Sequence, residues 1–157
     1  SAIAIILGKE ASFFDAWALK GNSILRLIHY PPVPDSSNIL RARAHEDINL
    51  ITLLVGAEES GLEVQNADGD WIPIAAKSKS IVCNIGDMMQ LVTRSQLKST
   101  THRVVDNNAG LSASRYSMPF FLHPSPEIEL CSIVDESTDS ISAHDFLEER
   151  LKAIKLY

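Results

Sequence analysis

Residues 44–55 read AHEDINLITLLV, an apolar, strand-like run that begins with a histidine and an aspartate one residue apart. Alternate side chains of a β-strand point to the same face, so this run predicts that His45 and Asp47 project together while Glu46 points away. Two polar groups on one face of a half-buried strand need either water or a shared partner. The stretch therefore predicts a β-rich fold with a polar site at the entrance to one strand.

Further strand-like segments with turn residues between them lie on both sides of this run. GLEVQ and DWIPI are separated by a turn containing Asn66, Asp68 and Gly69, which predicts a β-hairpin. SILRLIHY leads into a proline-rich segment. STTHRVV and SRYSMPFFLH predict two more strands, with a turn between them at DNNAG, residues 106–110. SIVCNIGDMMQLVT predicts two strands interrupted by Gly86, with unusual backbone angles, and Asp87, a turn former. About seven or eight short strands predict a sandwich or a double-sheet jelly roll.

The 157 residues are expected to form one domain with helices at its ends. Residues 1–24 are predicted to be an N-terminal helix with a break near Gly8, residues 25–124 a jelly roll, and residues 142–157 a C-terminal helix. Both helices are predicted from apolar residues that recur at helical spacing. These residues are Ile6, Phe13, Phe14 and Trp17 in the first segment, and Phe146, Leu147, Leu151 and Ile154 in the second.

Composition excludes several classes of protein. Hydrophobic residues make up 45% and charged residues 22%, and the formal net charge of -6 gives no electrostatic support to nucleic-acid binding. No apolar stretch is long enough for a membrane span, and the opening AIAIIL makes a poor signal peptide. Cys83 and Cys131 are too few for a disulfide framework and are expected to be buried, which favours a reducing, cytoplasmic location.

A third polar candidate, His102, lies in the strand-like segment STTHRVV. Two imidazoles and one carboxylate on one face of a metal ion form the set of ligands typical of non-haem Fe(II) oxygenases. Such a set leaves three coordination positions open for other ligands. The pattern H-x-D…H alone is weak, because such triplets arise by chance. His123 and His144 are expected in exposed segments and are assigned no role.

Arg115 and Ser117 alternate onto one face of the next strand-like segment. A guanidinium group binds a carboxylate through two parallel hydrogen bonds, and a hydroxyl group can support it. An arginine within a segment as apolar as YSMPFFL needs an anionic partner. This pair therefore predicts a site for a terminal carboxylate.

HEDINLITLLV, GLEV, CNIGDMMQLVT, KSTTHRVV and RYSMPFFLHP, in that order, resemble the catalytic core of Fe(II)/2-oxoglutarate dioxygenases of the isopenicillin N synthase-like superfamily. The resemblance extends from about Leu25 to Pro124. It implies a mainly β fold, a double-stranded β-helix (jelly roll) with flanking helices at both ends. It also implies that His45, Asp47 and His102 hold iron, that Arg115 and Ser117 hold the distal carboxylate of 2-oxoglutarate, and that Tyr30 hydrogen-bonds this co-substrate.

The activity implied is oxidative decarboxylation of 2-oxoglutarate to succinate and CO₂, coupled to oxidation of a small organic substrate by O₂, with ascorbate as a candidate reductant. Two alternatives stay open: an iron-dependent oxidase of the same fold that does not use 2-oxoglutarate, and an inactive fragment or binding module. A zinc-binding cupin-like protein is disfavoured by Asp47 and Arg115. No nucleic-acid or membrane partner is expected, and the oligomeric state is not predicted.

The chain departs from the family pattern at several points. Ile28 and His29 replace an asparagine and a tyrosine before Tyr30, and Arg94-Ser95 replaces an Asn-Gly turn. Members of the family usually carry an N-terminal region about as large again. That region is expected to be absent here. The chain is then either a trimmed segment of a longer protein, which is the favoured interpretation, or an unusually short member of the family.

Overall fold

The structure is a computed structural model that describes residues 1–32, 40–55, 61–74, 80–105 and 114–154. These residues form four helices and twelve strands. The helices are α1 (Ala2–Ile6), α2 (Asp15–Ala18), α3 (Asp87–Val92) and α4 (Ala143–Ala153). The strands are β1 (Ile24–Leu25), β2 (Ile28–Tyr30), β3 (Leu40–His45), β4 (Ile51–Val55), β5 (Leu62–Gln65), β6 (Trp71–Pro73), β7 (Ile81–Ile85), β8 (His102–Val105), β9 (Arg115–Ser117), β10 (Pro119–Leu122), β11 (Glu129–Cys131) and β12 (Ser140–Ser142).

Two four-stranded antiparallel sheets dominate the fold, in the strand orders β1-β10-β4-β7 and β3-β8-β5-β6. Strands β2 and β9 form one two-stranded sheet, and β11 and β12 form another. Helices α1 and α2 lie before the strands, α4 lies after them, and α3 lies between β7 and β8. This arrangement confirms the prediction of a mainly β, jelly-roll fold with flanking helices.

The predicted hairpin is β5–β6, which pairs Gln65 with Trp71. Its turn is closed by the side chain of Asn66, whose Oδ1 accepts the backbone N–H groups of Asp68 at 3.0 Å and Asp70 at 2.8 Å. Gly69 supplies a φ of +90°, which few other residues adopt without strain. The hairpin prediction is confirmed.

The prediction of a single strand in the opening run 44–55 is wrong. β3 ends at His45, and the chain turns through residues 46–50 before β4 begins at Ile51. The backbone of this turn bonds both to the start of α3 and to β10. The carbonyl of Asp47 accepts the N–H of Asp87 at 2.7 Å, that of Leu50 accepts the N–H of Gly86 at 2.9 Å, and the N–H of Leu50 donates to the carbonyl of Leu122 at 3.0 Å. The side chain of the buried Asn49 secures the turn by donating to Thr52 Oγ1 at 2.9 Å.

The second strand predicted after Gly86 is also wrong, because residues 87–92 form helix α3. Gly86 has an ordinary extended backbone, with φ −101° and ψ 170°. Glycine is needed here for space, since a Cβ atom would lie 2.1 Å from the backbone oxygen of Asn49. Asp87 is the first helical residue and not part of a turn.

Two further predictions need correction, one for the N-terminal segment and one for the cysteines. The N-terminal segment contains two short helices, and β1 has begun by Ile24, whereas the break near Gly8 is present and has a φ of +70°. Cys83 is exposed and Cys131 half-buried, so neither is the buried residue predicted. Arg94 and Ser95 both have positive φ, 49° and 61°, so they form a glycine-type turn without glycine. The turn predicted at residues 106–110, most of the proline-rich segment and residues 155–157 lie outside the described residues.

The main core packs α1, α2, α3 and α4 against β11 and the turn before β4. Its largest fully buried side chains are Leu50, Met88, Val92 and Leu130, each at most 1% exposed. Ser142 caps the N-terminus of helix α4, since its Oγ accepts the N–H of Asp145 at 3.0 Å. The first residue of the helix, Ala143, is buried in this core. The same core therefore anchors both α3 and α4, the two helices nearest the site described next. Across the described residues, no helix has the length and apolar character needed to span a membrane.

Candidate metal centre and adjoining cleft

His45 and His102 face each other across the β3–β8 ladder, where they are direct partners. Their ring centroids are 4.3 Å apart. Asp47 lies in the turn after β3, and its Oδ1 is 3.9 Å from Nε2 of His45 and 3.8 Å from Nε2 of His102. One ligand atom from each of the three side chains lies within 4.8 Å of the others, so a single metal ion can contact all three.

The far side of each imidazole ring bonds to a backbone carbonyl. Nδ1 of His45 is 2.7 Å from the oxygen of Arg43, and Nδ1 of His102 is 3.1 Å from that of Thr100. Since a carbonyl can only accept, Nδ1 carries the proton and Nε2 presents a lone pair toward Asp47. Both rings are therefore held in the tautomer that a metal ligand requires.

Asp47 provides a direct test of whether a cation fits. Its carboxylate is buried, at 7% residue exposure, and its Oδ2 has no hydrogen-bond donor among the described residues. A buried carboxylate oxygen without a partner is costly, and a bound cation removes that cost. Two imidazoles and one carboxylate, with His45 47% exposed at its side chain, suit Fe(II) with open coordination positions.

Tyr30, Arg115 and Ser117 form a second group, on the β2–β9 ladder. Tyr30 pairs directly with Arg115, and the guanidinium carbon of Arg115 lies 5.4 Å from the centre of the tyrosine ring. Arg115 is buried, Ser117 is half-buried and Tyr116 between them is exposed, which is the alternation predicted for the Arg-x-Ser segment. His29 is exposed and stacks on Tyr116, so this departure from the family pattern points away from Arg115.

A cleft of about 1210 Å³ reaches the metal-ligand group. It is lined by residues 22–27, by residues 44–48 and by one face of α4, which contributes Leu147, Arg150 and Leu151. The described side chains lining it do not include Tyr30, Arg115 or Ser117. Among the described residues, the cleft therefore contacts His45 and Asp47 of the metal-ligand group.

Two charged residues of this cleft, Asp87 and Arg150, are not predicted from the sequence to be part of a functional site. Asp87 has a carboxylate only 3% exposed, and its Oδ2 accepts a hydrogen bond from Nη2 of Arg150. The same Nη2 is 4.0 Å from a carboxylate oxygen of Glu46, the residue between two predicted ligands. The Gly86-Asp87 pair indicates a local change of backbone direction in the sequence. The partner of Asp87, Arg150, lies 63 residues away, and no sequence pattern predicts this pairing.

His123 also lines the cleft and is half-buried, so the prediction that it is exposed is wrong. Burial lowers the pKa of His123 from its usual 6.5, and the negative charge of Asp47 partly opposes this shift. His144, in the first turn of α4, is exposed as predicted.

Comparison with known proteins gives a consistent result. Residues 21–124 match the model of the 2OG-Fe(II) oxygenase superfamily. A 2-oxoglutarate-dependent dioxygenase of Didymella fabae is 33% identical over an alignment that covers 92% of this chain and 47% of that protein. A 2'-deoxymugineic-acid 2'-dioxygenase of Hordeum vulgare is 37% identical, over 77% of this chain and 34% of that protein.

Solved structures show the same likeness. A 2OG-Fe(II) oxygenase family protein from Caulobacter crescentus has a TM-score of 0.91 and 46% identity, covering 98% of this chain and 53% of that one. A full-length Neurospora crassa protein in complex with alpha-KG has a TM-score of 0.88 and 30% identity, covering 98% of this chain and 51% of that one. The chain thus spans about half the length of several of these proteins, and less of others.

The family model covers most of the jelly roll, including every residue of the His–Asp–His group and of the Tyr30–Arg115 ladder. The sequence likeness and the geometry therefore concern the same part of the molecule, and they confirm the resemblance drawn from the motifs. This chain belongs to the 2OG-Fe(II) oxygenase superfamily.

Proposed function

We propose that this chain is the catalytic core of an Fe(II)- and 2-oxoglutarate-dependent oxygenase. The reaction couples oxidative decarboxylation of 2-oxoglutarate, to succinate and CO₂, with hydroxylation-type oxidation of a small organic substrate. The observation that carries the proposal is the convergence of His45, Asp47 and His102 within 4.8 Å. The exposed thiol of Cys83 and the free thiol of Cys131 suit a reducing, cytoplasmic compartment.

His45, Asp47 and His102 are the residues that would hold the iron. The carbonyls of Arg43 and Thr100 fix both imidazole tautomers, so the ligands are pre-oriented before the metal arrives. Bound Fe(II) supplies the activation of O₂ that the oxidation requires. The chain supplies ligand geometry and a cleft that brings a substrate beside His45 and Asp47.

Arg115 and Ser117 would bind the distal carboxylate of 2-oxoglutarate, and Tyr30 would hydrogen-bond the same molecule. Burial of Arg115 at 5% exposure favours this role, because a guanidinium shielded from water binds a carboxylate more strongly than an exposed one. The position of Arg115 is fixed by its pairing with Tyr30 in the ladder. The complex of the related Neurospora crassa protein with alpha-KG supports the choice of this co-substrate.

The test is an anaerobic titration of the chain with Fe(II) and then with 2-oxoglutarate, followed by visible absorption. A weak charge-transfer band is expected only when both are present. His102→Ala should abolish the band, whereas His144→Ala, which removes an exposed histidine outside the site, should leave it unchanged. Circular dichroism establishes that each variant is folded.

The outcomes separate the alternatives. A folded chain that binds no Fe(II) contradicts the metal assignment. A chain that binds Fe(II) but shows no band with 2-oxoglutarate contradicts the co-substrate assignment and favours an oxidase that does not use it. Succinate formation in air, measured with and without ascorbate, then tests turnover and the predicted reductant.

A further inference from the structure

Asp87 places a second buried carboxylate beside the ligand-bearing segment. Its Oδ1 has no hydrogen-bond donor among the described residues, and its Oδ2 is bound by Arg150. Its backbone N–H donates to the carbonyl of Asp47 at 2.7 Å. The position of Asp87 is thus tied directly to the backbone of a proposed iron ligand, and its charge is compensated by an arginine from another element.

Arg150 also approaches Glu46, a second acidic residue in the segment that carries His45 and Asp47. Nη2 of Arg150 is 4.0 Å from Oε2 of Glu46, which lies between His45 and Asp47 in the chain. The other carboxylate oxygen of Glu46 accepts a hydrogen bond from Oγ1 of Thr101 at 2.8 Å, one residue before His102. Arg150 is therefore linked to the ligand group by two routes. Glu46 lies between His45 and Asp47 and bonds to the residue before His102, and Asp87 bonds through its backbone to Asp47.

Arg150 reaches this place from α4, which is anchored independently. Ala143 at the start of the helix is 3% exposed in the core, and Leu147 and Leu151 line the cleft on either side of Arg150. The helix thus forms a wall of the cleft, and the guanidinium group of Arg150 reaches from it toward Glu46 in the ligand segment.

We propose that Arg150 is a positioning residue for the iron site, holding Glu46 and Asp87 so that the segment carrying His45 and Asp47 keeps its ligand geometry against α4. The inference rests on the proposed function, since it assigns Arg150 a role in that same site. Removing Arg150 leaves the buried carboxylate of Asp87 without its cation, which is strongly unfavourable for the local structure. The Asp47 carbonyl, bonded to the backbone of Asp87, moves with it.

Lys152 provides a matched control on the same helix. Its Nζ is 3.6 Å from Glu148, and its side chain is 68% exposed, so this pair is an ordinary surface ion pair. Such pairs contribute little because water screens them. Lys152→Gln removes one positive charge from α4, as Arg150→Gln does, but touches neither Asp87 nor Glu46.

The experiment compares anaerobic Fe(II) affinity in wild type, Arg150→Gln, Arg150→Lys and Lys152→Gln. Arg150→Gln is expected to weaken Fe(II) binding about tenfold, as loss of a residue supporting metal ligands typically does. Arg150→Lys should restore part of this loss because it keeps the charge, and Lys152→Gln should bind like wild type. The double variant Arg150→Gln with Asp87→Asn should bind better than Arg150→Gln alone, because no buried charge is then left uncompensated.

Hydrogen exchange at residues 45–47 supplies a readout that needs no metal, with faster exchange expected in Arg150→Gln than in Lys152→Gln. Wild-type Fe(II) affinity in folded Arg150→Gln overturns the proposal, as does an equal loss in Lys152→Gln. If Arg150→Gln fails to fold, Arg150→Lys and the double variant decide on the same criteria. A wild-type chain that binds no Fe(II) contradicts the proposed function itself, and the role of Arg150 with it.

Discussion

Two arginines of this chain are placed in contrasting ways. Arg115 belongs to strand β9, its backbone is fixed by pairing with Tyr30, and the residue is 5% exposed. Arg150 belongs to helix α4, its side chain is 45% exposed, and its partner Asp87 lies 63 residues away in the chain. One is positioned by a strand ladder, and the other by the docking of a helix.

The difference bears on what each arginine can bind. A ladder position presents Arg115 and Ser117 to one face regardless of how the helices pack, which suits an anion arriving from solution. Arg150 spans a junction between α4 and the ligand segment and is engaged with the protein's own carboxylates. We expect a change that disturbs the docking of α4 to affect first the contacts of Arg150 with Asp87 and Glu46. Loss of Arg115 should affect the binding of the co-substrate alone.

Gly86→Ala should give the largest effect. It disturbs the packing of the turn at residues 46–50 against the start of α3, where Asp87 binds Arg150. The new methyl group would lie 2.1 Å from the backbone oxygen of Asn49, which must move away together with the start of α3. The free energy of unfolding is expected to fall by about 3 kcal/mol, as for overpacking of a tight contact. Urea denaturation followed by circular dichroism measures it.

Gly8→Ala is the matched control for this change. Gly8 has a φ of +70° but no atom within 4 Å of the added Cβ, so only backbone strain of about 1 kcal/mol is expected. Equal losses in the two variants would show that close packing at Gly86 is not what makes glycine necessary there.

Arg115→Ala tests the arginine that is positioned by the strand ladder. The affinity for 2-oxoglutarate is expected to fall about 100-fold, in line with loss of one partner of a buried charge pair, while Fe(II) affinity stays nearly unchanged. Titration of the charge-transfer band with 2-oxoglutarate at saturating Fe(II) measures the first quantity. Loss of Fe(II) binding in this variant would contradict the division of roles between the two groups.

Arg103→Ala serves as its control. Arg103 is also a strand arginine, in β8 next to His102, but it bonds to Glu63 at 2.7 Å and stacks on Trp71 at 4.0 Å. Its removal should leave the affinity for 2-oxoglutarate unchanged. A comparable loss in both variants would indicate a general effect of removing a strand charge.

The strand-borne features were the ones the sequence could predict. Turn chemistry at Asn66 and Gly69 depends on neighbouring residues, and so does the alternation of Arg115 and Ser117, because both follow from the local backbone. The proximity of His45 and Asp47 was predicted for the wrong reason. β3 ends at His45, and it is the turn at residues 46–50 that brings Asp47 back toward His102.

The features that depend on tertiary packing were missed. The apolar run of α3, MMQLV, fits a buried strand as well as a short helix, and contact with Leu50 and the core decides between them. The pairing of Arg150 with Asp87 leaves no trace in the spacing of residues along either segment. The sequence predicts an exposed His123, because no local pattern shows that His123 lines a cleft together with residues 22–27 and α4.

His123 allows the smallest test, on the pH dependence of stability. Burial lowers its pKa below 6.5 in the folded chain, so between that lowered pKa and 6.5 the unfolded chain binds more protons. The free energy of unfolding should therefore fall as the pH drops below 6.5, and the contribution of His123 should be constant above it. His123→Asn should reduce this slope in urea denaturation of the metal-free chain, whereas substitution of the exposed His144 by asparagine should not. An unchanged slope in His123→Asn would contradict the burial of a neutral imidazole in the wall of the cleft.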